Sequence, residues 1–228
     1  MSRMHRPPEA FVFDAYGTLF DVHSLATLAE ALAPGQGHAL SQLWRAKQVE
    51  YTWLTSLMAT PARPREDFAA ITAHALDYAV SALIAPLDSE ARGRLIEAYR
   101  MLTPYSDARD TLERLAPRRR IILSNGTRAM LDPLVAASGL APHLDAVISV
   151  DEAGIYKPSP AVYQLAVDRL GLPPGRIGFV SANGWDAAGA KAFGFTTFWI
   201  NRMSMPAERH APDPDHTVAS LRDVLAAV

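Results

Sequence analysis

Five short apolar runs along the chain predict the strands of a buried sheet. These runs are rich in β-branched and aromatic residues, and they end in turn at Phe13, Ser124, Val150, Ser181 and Asn201. Apolar positions at helical spacing fill the segments between the later runs. Because strands that alternate with helices pair in parallel, the pattern predicts an α/β fold built on a parallel sheet.

Residue types also predict where some of the helices begin and end. Ser159 followed by Pro160 predicts a helix with proline at its first position, and Gly171 predicts the end of that helix. Asp107, with Asp110 three residues later, predicts a capping box at the start of another helix. These boundaries support helices between the strands.

The stretch from residue 19 to residue 102 has no strand signal and predicts a helical insertion. Helical segments are expected over 68–84 and 89–102, and a longer one carries apolar positions at Leu40, Leu43, Trp44, Tyr51, Leu54 and Met58. The polar loop 60–67 is expected to be a turn and carries no functional signal of its own. We therefore predict a core domain of residues 1–18 and 103–228, with a helical subdomain of residues 19–102 inserted into it.

Composition narrows the functional classes. The 228 residues are 49% hydrophobic and 20% charged, as in a globular protein with one core and a modest insertion. A net charge of -2 gives no reason to expect binding to nucleic acid or to a membrane. The chain has no Cys, which excludes disulfides and thiolate nucleophiles and favours a reducing cytoplasm. The first nine residues are expected to be a polar tail rather than a signal peptide.

Polar side chains follow the predicted strands at the point where each strand ends. They are Asp14 after the first run, Ser124 and Asn125 at the second, Lys157 in the loop after the third, and Ser181, Asn183 and Asp186 at the fourth. Because ligands bind at the carboxyl ends of parallel strands, these residues predict a site at one sheet edge. Any one of them alone would more simply be a turn or cap residue. A Lys157 ammonium near Asp14 would keep that carboxylate ionised, as a carboxylate nucleophile requires.

The motifs around these residues resemble those of a known enzyme group. The string FVFDAYGTLFDVHS resembles the haloacid dehalogenase superfamily, whose members place a nucleophilic Asp after the first strand of a Rossmann-like core. Within that superfamily, the chain is similar to the L-specific type II (S)-2-haloacid dehalogenases through the strings LWRAKQVEYTWLTSLM, LSNGT, YKPSPAVYQLA and FVSANGWDAAGAKAFGFTTFWINR. The resemblance implies a Rossmann-like core with an inserted helical cap, and a homodimer.

Two positions separate this chain from the phosphatases of the superfamily. Tyr16 stands where a phosphatase has the general acid that protonates the leaving alkoxide, and Ser181 stands where it has a magnesium ligand. A departing halide needs no proton, so a dehalogenase loses nothing by having Tyr16. The resemblance therefore implies hydrolytic dehalogenation of short (S)-2-haloalkanoic acids to (R)-2-hydroxy acids, with no metal and no cofactor.

The resemblance also implies a role for each site residue. Asp14 would attack the halogen-bearing carbon and form an ester, with its carboxylate held by Thr18 and Lys157. Ser124 and the backbone amides of Ala15 and Tyr16 would bind the substrate carboxylate, and Arg45 and Asn125 would bind the halide. The water would be oriented or activated by Ser181, Asn183 and Asp186. Tyr163 would support Lys157, and Trp185 and Tyr16 would form an apolar wall.

Two alternatives stay open on sequence grounds. One is a magnesium-dependent phosphatase of the same superfamily, and the other is a non-catalytic protein that binds a small carboxylate. Pro64 and Phe68 lie in the segment where the related group commonly supplies an aromatic residue to the cap side of the pocket. The chain length of the substrate depends on which of the two faces the site.

Overall fold

The computed structural model describes residues 7–228 except residues 84, 86 and 210. Most of the predicted polar tail, and the last residue of the helix predicted over 68–84, therefore lie outside the described residues. No helix of the described part is both long and apolar enough to cross a membrane.

Six parallel strands form one sheet in the order β3-β2-β1-β4-β5-β6. The strands are β1 (Ala10–Phe13), β2 (Arg119–Ser124), β3 (Ala146–Ser149), β4 (Ile177–Ser181), β5 (Thr196–Ile200) and β6 (His216–Val218). Five of them coincide with the predicted runs to within one residue at their ends, which confirms the α/β fold class. The sixth was not predicted, because a three-residue edge strand that is only partly buried has no apolar run.

Eight α-helices occur among the described residues. They are α1 (Leu25–Leu32), α2 (Gly37–Met58), α3 (Phe68–Leu83), α4 (Ser89–Arg100), α5 (Ala108–Arg114), α6 (Arg128–Ser138), α7 (Pro160–Leu170) and α8 (Gly184–Phe193). The first four lie between β1 and β2, in the segment predicted to be a helical insertion. Helix α7 begins with Pro160 after Ser159 and ends at Gly171 in the left-handed conformation, as its residue types predict.

The capping box predicted at Asp107 is wrong. Asp107 precedes α5 but makes no side-chain bond to that helix. Its carboxylate instead accepts hydrogen bonds from both terminal nitrogens of Arg202 and from the backbone N–H of Leu221. A charged, two-pronged guanidinium is a stronger partner than an amide of the helix, so the long-range contact takes the carboxylate.

The apolar face predicted for α2 is correct only in its first half. Leu40 and Trp44 are buried, but the buried row continues through the polar residues Gln48 and Thr52. Leu54 and Met58 are 41% and 64% exposed. The Gln48 amide can be buried because it donates to the hydroxyl of Thr72 on α3 and accepts from Tyr99 on α4.

The register of the sheet brings three strand ends to one edge. Phe13, the last residue of β1, pairs with Ile122 of β2 on one side and with Val180 of β4 on the other. The residues that follow these positions therefore emerge side by side. Asp14 extends the hydrogen bonding between β1 and β4 by one bond, because its backbone N–H donates to the Val180 carbonyl.

Candidate active site

Asp14 lies at the centre of this sheet edge, and three side chains hold its carboxylate. Oδ1 accepts from the Lys157 Nζ over 3.1 Å. Oδ2 accepts from the Thr18 hydroxyl over 3.0 Å and from the Asn183 amide over 2.8 Å. The Asp14 side chain is 8% exposed, so donors of the protein take much of the place of water around it.

The Lys157 ammonium bridges two buried carboxylates. It lies 3.1 Å from Asp14 and 2.9 Å from Asp186, and its side chain is 1% exposed. Burial alone would lower the pKa of Lys157, but the two carboxylates outweigh burial and raise it. Lys157 is therefore a fixed cation at neutral pH. Its backbone N–H donates to the side-chain oxygen of Asn125, which ties this loop to the end of β2.

Asp186 is held as firmly as Asp14. Its Oδ2 accepts from Lys157 and from the Ser181 hydroxyl over 3.1 Å, and its Oδ1 accepts from the Tyr163 hydroxyl over 2.9 Å. Burial and the like charge of Asp14 raise the pKa of Asp186, while Lys157 opposes this. The predicted site residues Ser181, Tyr163, Asp186 and Lys157 thus form one connected network with Asp14.

Asn183 connects this network to the helical insertion. It precedes the first residue of α8, and its side-chain N donates to Asp14 and to the Tyr16 carbonyl. Its side-chain O accepts from the Arg45 Nη2 over 3.1 Å. Arg45 extends from α2, and its other terminal nitrogen donates to Gln48 over 2.7 Å. The structure therefore brings Arg45 next to the carboxylate site, as the family resemblance implies.

The loop after β2 lies against an aromatic group. Asn125 and Gly126 follow Ser124, the last residue of β2, and the Gly126 N–H donates to the Ser124 hydroxyl. A methyl group on Gly126 would lie 2.8 Å from the Tyr16 ring, so only glycine fits at this distance. The Tyr16 ring also stacks on Phe68, with ring centroids 5.6 Å apart. Of Pro64 and Phe68, it is thus Phe68 whose side chain meets Tyr16.

Trp185 belongs to a different aromatic contact. Its ring meets Trp53 of α2 edge to face, with ring centroids 5.5 Å apart. It also lines a groove with the end of β5 and residues of the segment that follows it, as far as Arg209. The pairing of Trp185 with Tyr16 in one apolar wall remains a prediction.

Sequence reasoning missed two polar residues of the insertion that contact Arg45. The Gln48 side-chain oxygen accepts from Arg45 and from the Tyr99 hydroxyl, and the Tyr99 ring packs 5.1 Å from Tyr16. The available signal was a glutamine one turn after Arg45 on the apolar face of α2. Its meaning depends on α4, which lies about fifty residues further along the chain.

The loop 60–67 does more than reverse the chain. The Arg65 side chain is 7% exposed and pairs with Asp151, which lies just after β3. Its guanidinium also lies 4.1 Å from the ring centre of Tyr156, the residue before Lys157. The Tyr156 hydroxyl donates to the Glu66 carbonyl. This loop therefore joins the insertion to the segment that carries Lys157.

A family model described as haloacid dehalogenase-like hydrolase matches residues 8–194. The chain belongs to the haloacid dehalogenase-like hydrolases. This hydrolase is 47% identical over 199 residues to the (S)-2-haloacid dehalogenase of Xanthobacter autotrophicus, across 87% of this chain and 77% of the relative. It is 43% identical over 219 residues to the (S)-2-haloacid dehalogenase of Pseudomonas sp. strain YL, across 95% of this chain and 93% of the relative.

Solved structures give the same result for this haloacid dehalogenase-like hydrolase. A crystal structure of an L-2-haloacid dehalogenase superimposes with a TM-score of 0.94 at 42% identity, across 98% of this chain and 99% of the other. The L-2-haloacid dehalogenase of Xanthobacter autotrophicus with chloropropionic acid covalently bound has a TM-score of 0.87 at 41% identity, across 95% and 96%. The fold and the family resemblance predicted from the sequence are therefore confirmed.

Proposed function

We propose that this hydrolase dehalogenates short (S)-2-haloalkanoic acids to (R)-2-hydroxy acids through an ester of Asp14. The observation that carries the proposal is the buried Asp14 carboxylate, whose two oxygens are held by Lys157, Thr18 and Asn183. Similarity to (S)-2-haloacid dehalogenases over almost the whole chain supports it. So does the relative with covalently bound chloropropionic acid, because a covalent adduct is what a nucleophilic carboxylate gives.

In the first step an Asp14 oxygen attacks the halogen-bearing carbon from the side opposite the halogen. A carbon–oxygen bond forms, the carbon–halogen bond breaks, and its electron pair leaves with the halide, so the configuration inverts. Hydrogen-bond donors fixed near the departing halide lower the barrier, and we assign this task to the Arg45 guanidinium and the Asn125 side-chain amide.

The substrate carboxylate needs donors that the protein itself does not use. Asp14 and Gly17 donate their backbone N–H groups to Val180 and Phe20, whereas the intervening amides of Ala15 and Tyr16 donate to no described residue. These two amides and the Ser124 hydroxyl are therefore assigned to the carboxylate.

In the second step water attacks the carbonyl carbon of the Asp14 ester. The tetrahedral intermediate then collapses, releases the hydroxy acid and restores the carboxylate. Ser181, Asn183 and Asp186 are assigned to orient the water or to take its proton, because they surround the Asp14–Lys157 pair. Tyr163 fixes the Asp186 carboxylate through its hydroxyl.

We assign residues 19–102 to a cap over a core of residues 1–18 and 103–228, with the site between them. The hydrogen bond between Arg45 of the insertion and Asn183 at the sheet edge supports a site between these two parts. Trp185 and Tyr16 are assigned to the apolar boundary of the site.

The reaction as proposed needs no metal or cofactor, and we place it in the cytoplasm. The Lys157 ammonium lies between Asp14 and Asp186 and compensates part of their negative charge. The cysteine-free sequence supports a reducing compartment. The partners of the protein are then the haloacid, water and a second copy of the chain, without nucleic acid or membrane.

The second copy is proposed to pack on the end of α2. Trp53, Leu54, Leu57 and Met58 are 36%, 41%, 83% and 64% exposed there, and Tyr78 of α3 is 44% exposed nearby. Large apolar side chains that cluster at a surface are typical of an interface.

The decisive experiment measures chloride release from each enantiomer of 2-chloropropionate in excess chelator, with Asp14→Asn as the matched variant. Release from the S enantiomer alone, abolished in the variant, is the expected result. A single turnover in heavy-oxygen water should place the label on Asp14 and leave the hydroxy acid unlabelled. Label that appears first in the product would overturn the ester step. Magnesium-dependent phosphate release without chloride release would replace the proposal with the phosphatase.

A further inference from the structure

The Tyr16 hydroxyl is buried and has no hydrogen-bond partner among the described residues. The residue as a whole is 2% exposed. A buried hydroxyl without a partner costs stability, because it has given up its bonds to water and received nothing in exchange. Such a group needs an explanation, and a bound ligand is one.

The hydroxyl lies beside the loop that carries Asn125. A methyl group built on Gly126, the next residue, would be 3.0 Å from the Tyr16 hydroxyl oxygen. The ring packs against Phe68 and Tyr99, with centroid distances of 5.6 and 5.1 Å, and these contacts restrict its orientation. The hydroxyl is therefore held in place rather than free to turn towards solvent.

Tyr99 connects the Tyr16 ring to the Arg45 cation of the insertion. Tyr99, which contacts the Tyr16 ring, has its own hydroxyl 3.4 Å from the Arg45 Nη1. Burial raises the pKa of Tyr16 well above its ordinary value, and the nearby Arg45 charge only partly opposes this. The hydroxyl therefore keeps its proton at neutral pH and can serve as a donor.

We propose that the Tyr16 hydroxyl donates a hydrogen bond to the departing halide, as a third donor beside Arg45 and Asn125. This inference rests on the proposed dehalogenation. It gives the tyrosine that replaces the phosphatase acid a role of its own in carbon–halogen cleavage. The backbone amide of Tyr16 keeps its assignment to the substrate carboxylate, because the amide and the hydroxyl lie at opposite ends of the residue.

The proposed hydrogen bond neither forms nor breaks a covalent bond. Asp14 forms the new carbon–oxygen bond, the halide leaves with the electron pair of the carbon–halogen bond, and the Tyr16 proton stays on its oxygen. The stabilisation grows as charge accumulates on the halogen, so it acts on the transition state more than on the bound substrate. It should also grow from iodide to chloride, because the smaller ion concentrates its charge and accepts hydrogen bonds more strongly.

The test compares wild type with Tyr16→Phe, which removes the hydroxyl and keeps the ring. Halide release is measured in single turnovers, with enzyme in excess over (S)-2-chloro-, 2-bromo- and 2-iodopropionate. We expect a loss of about 100-fold for the chloro acid, as for removal of one preorganised donor, and a progressively smaller loss for the bromo and iodo acids. Inhibition of the wild type by added bromide should weaken in the variant.

Thermal unfolding gives a second readout. The variant should unfold at the same or a higher temperature than wild type, because an unpaired buried hydroxyl has been removed. Tyr105→Phe is the matched control, since Tyr105 is a partly buried tyrosine that stacks on Arg202 outside the site. We expect the control to keep wild-type rates with all three acids.

Each failure has its own signature. If wild type releases no halide from any of the three acids, the proposed function itself is wrong. If wild type is active and Tyr16→Phe is unchanged, or loses the same factor with every halogen, the hydroxyl does not bind the halide and this inference is overturned.

Discussion

Arg45 Nη2 donates to the side-chain oxygen of Asn183 over 3.1 Å, and the same Asn183 amide donates to Asp14. One residue of the insertion is thus two hydrogen bonds away from the proposed nucleophile. The Arg45 guanidinium can bond to Asn183 and Gln48 together because it has two terminal nitrogens: Nη2 donates to Asn183 and Nη1 donates to Gln48.

Replacement of Arg45 by Lys should therefore abolish most of the activity. A lysine has one terminal nitrogen, so it cannot contact Gln48 and Asn183 in the geometry of a guanidinium. We expect the rate of halide release from (S)-2-chloropropionate to fall about 100-fold. Arg94→Lys, on the exposed face of α4, is the matched control and should keep wild-type activity. Retention of more than half the activity by Arg45→Lys would contradict the assignment.

Replacement of Lys157 by Met should destabilise the fold as well as the reaction. The change leaves the buried carboxylates of Asp14 and Asp186 without their shared cation. Loss of one partner from a buried pair costs about 3–5 kcal/mol, which urea unfolding at pH 7 will measure. Lys47→Met is the control, because Lys47 pairs with Glu50 near the surface. The urea midpoint of this variant should be close to that of wild type. Equal midpoints in the two variants would refute the prediction.

The contribution of Lys157 should also depend on pH in one direction. Its pKa in the folded protein is raised above the unfolded value, so its stabilisation is fully present below about pH 10.4, the ordinary value for lysine. It is lost as pH rises through the folded pKa. The difference in unfolding free energy between wild type and Lys157→Met should stay constant from pH 7 to pH 10 and narrow only above that. Narrowing below pH 9 would show that the ammonium is not stabilised by its two carboxylates.

Gly126→Ala should disturb the site through Tyr16. The new methyl group would meet the Tyr16 ring at 2.8 Å and the Leu131 side chain at 3.1 Å, so these groups must move. We expect a stability loss of about 1–3 kcal/mol, together with a fall in halide release.

Gly93→Ala supplies the matched control for this change. Gly93 lies in α4, and a methyl group there meets nothing within 4 Å. Alanine is a better helix former than glycine, so this variant should gain about 0.5–1 kcal/mol with unchanged activity. Urea unfolding of both variants measures the change in stability, and a chloride assay measures the change in activity. An unperturbed Gly126→Ala would mean that the Tyr16 ring is not fixed where the structure places it.

Leu57→Glu should separate the proposed dimer. Leu57 is 83% exposed on α2 among other large apolar residues, and a charge buried at an interface without a partner is unfavourable. Analytical ultracentrifugation should give a dimer for wild type and a monomer for the variant. Met101→Glu, at a position 60% exposed beyond α4, should remain a dimer. A monomeric wild type, or a dimeric Leu57→Glu, would exclude this face.

The sheet and much of the proposed site could be predicted because both follow from local rules. A strand buried on both faces is mainly apolar, so a polar residue at its last position or directly after it marks the strand end. That rule located Asp14, Ser124 and Ser181. It failed for β6, where a short edge strand with partial burial needs no apolar run.

The sequence by itself determined five of the six strands, their ends to within one residue, and the family. The tertiary structure decided which distant groups meet. Asp107 bonds to Arg202 instead of its own helix, and Gln48 and Tyr99 hold Arg45. The Tyr16 hydroxyl has no hydrogen-bond partner among the described residues. The reason is physical: burial and periodicity act over a few neighbouring residues, whereas these contacts depend on how segments tens of residues apart pack together.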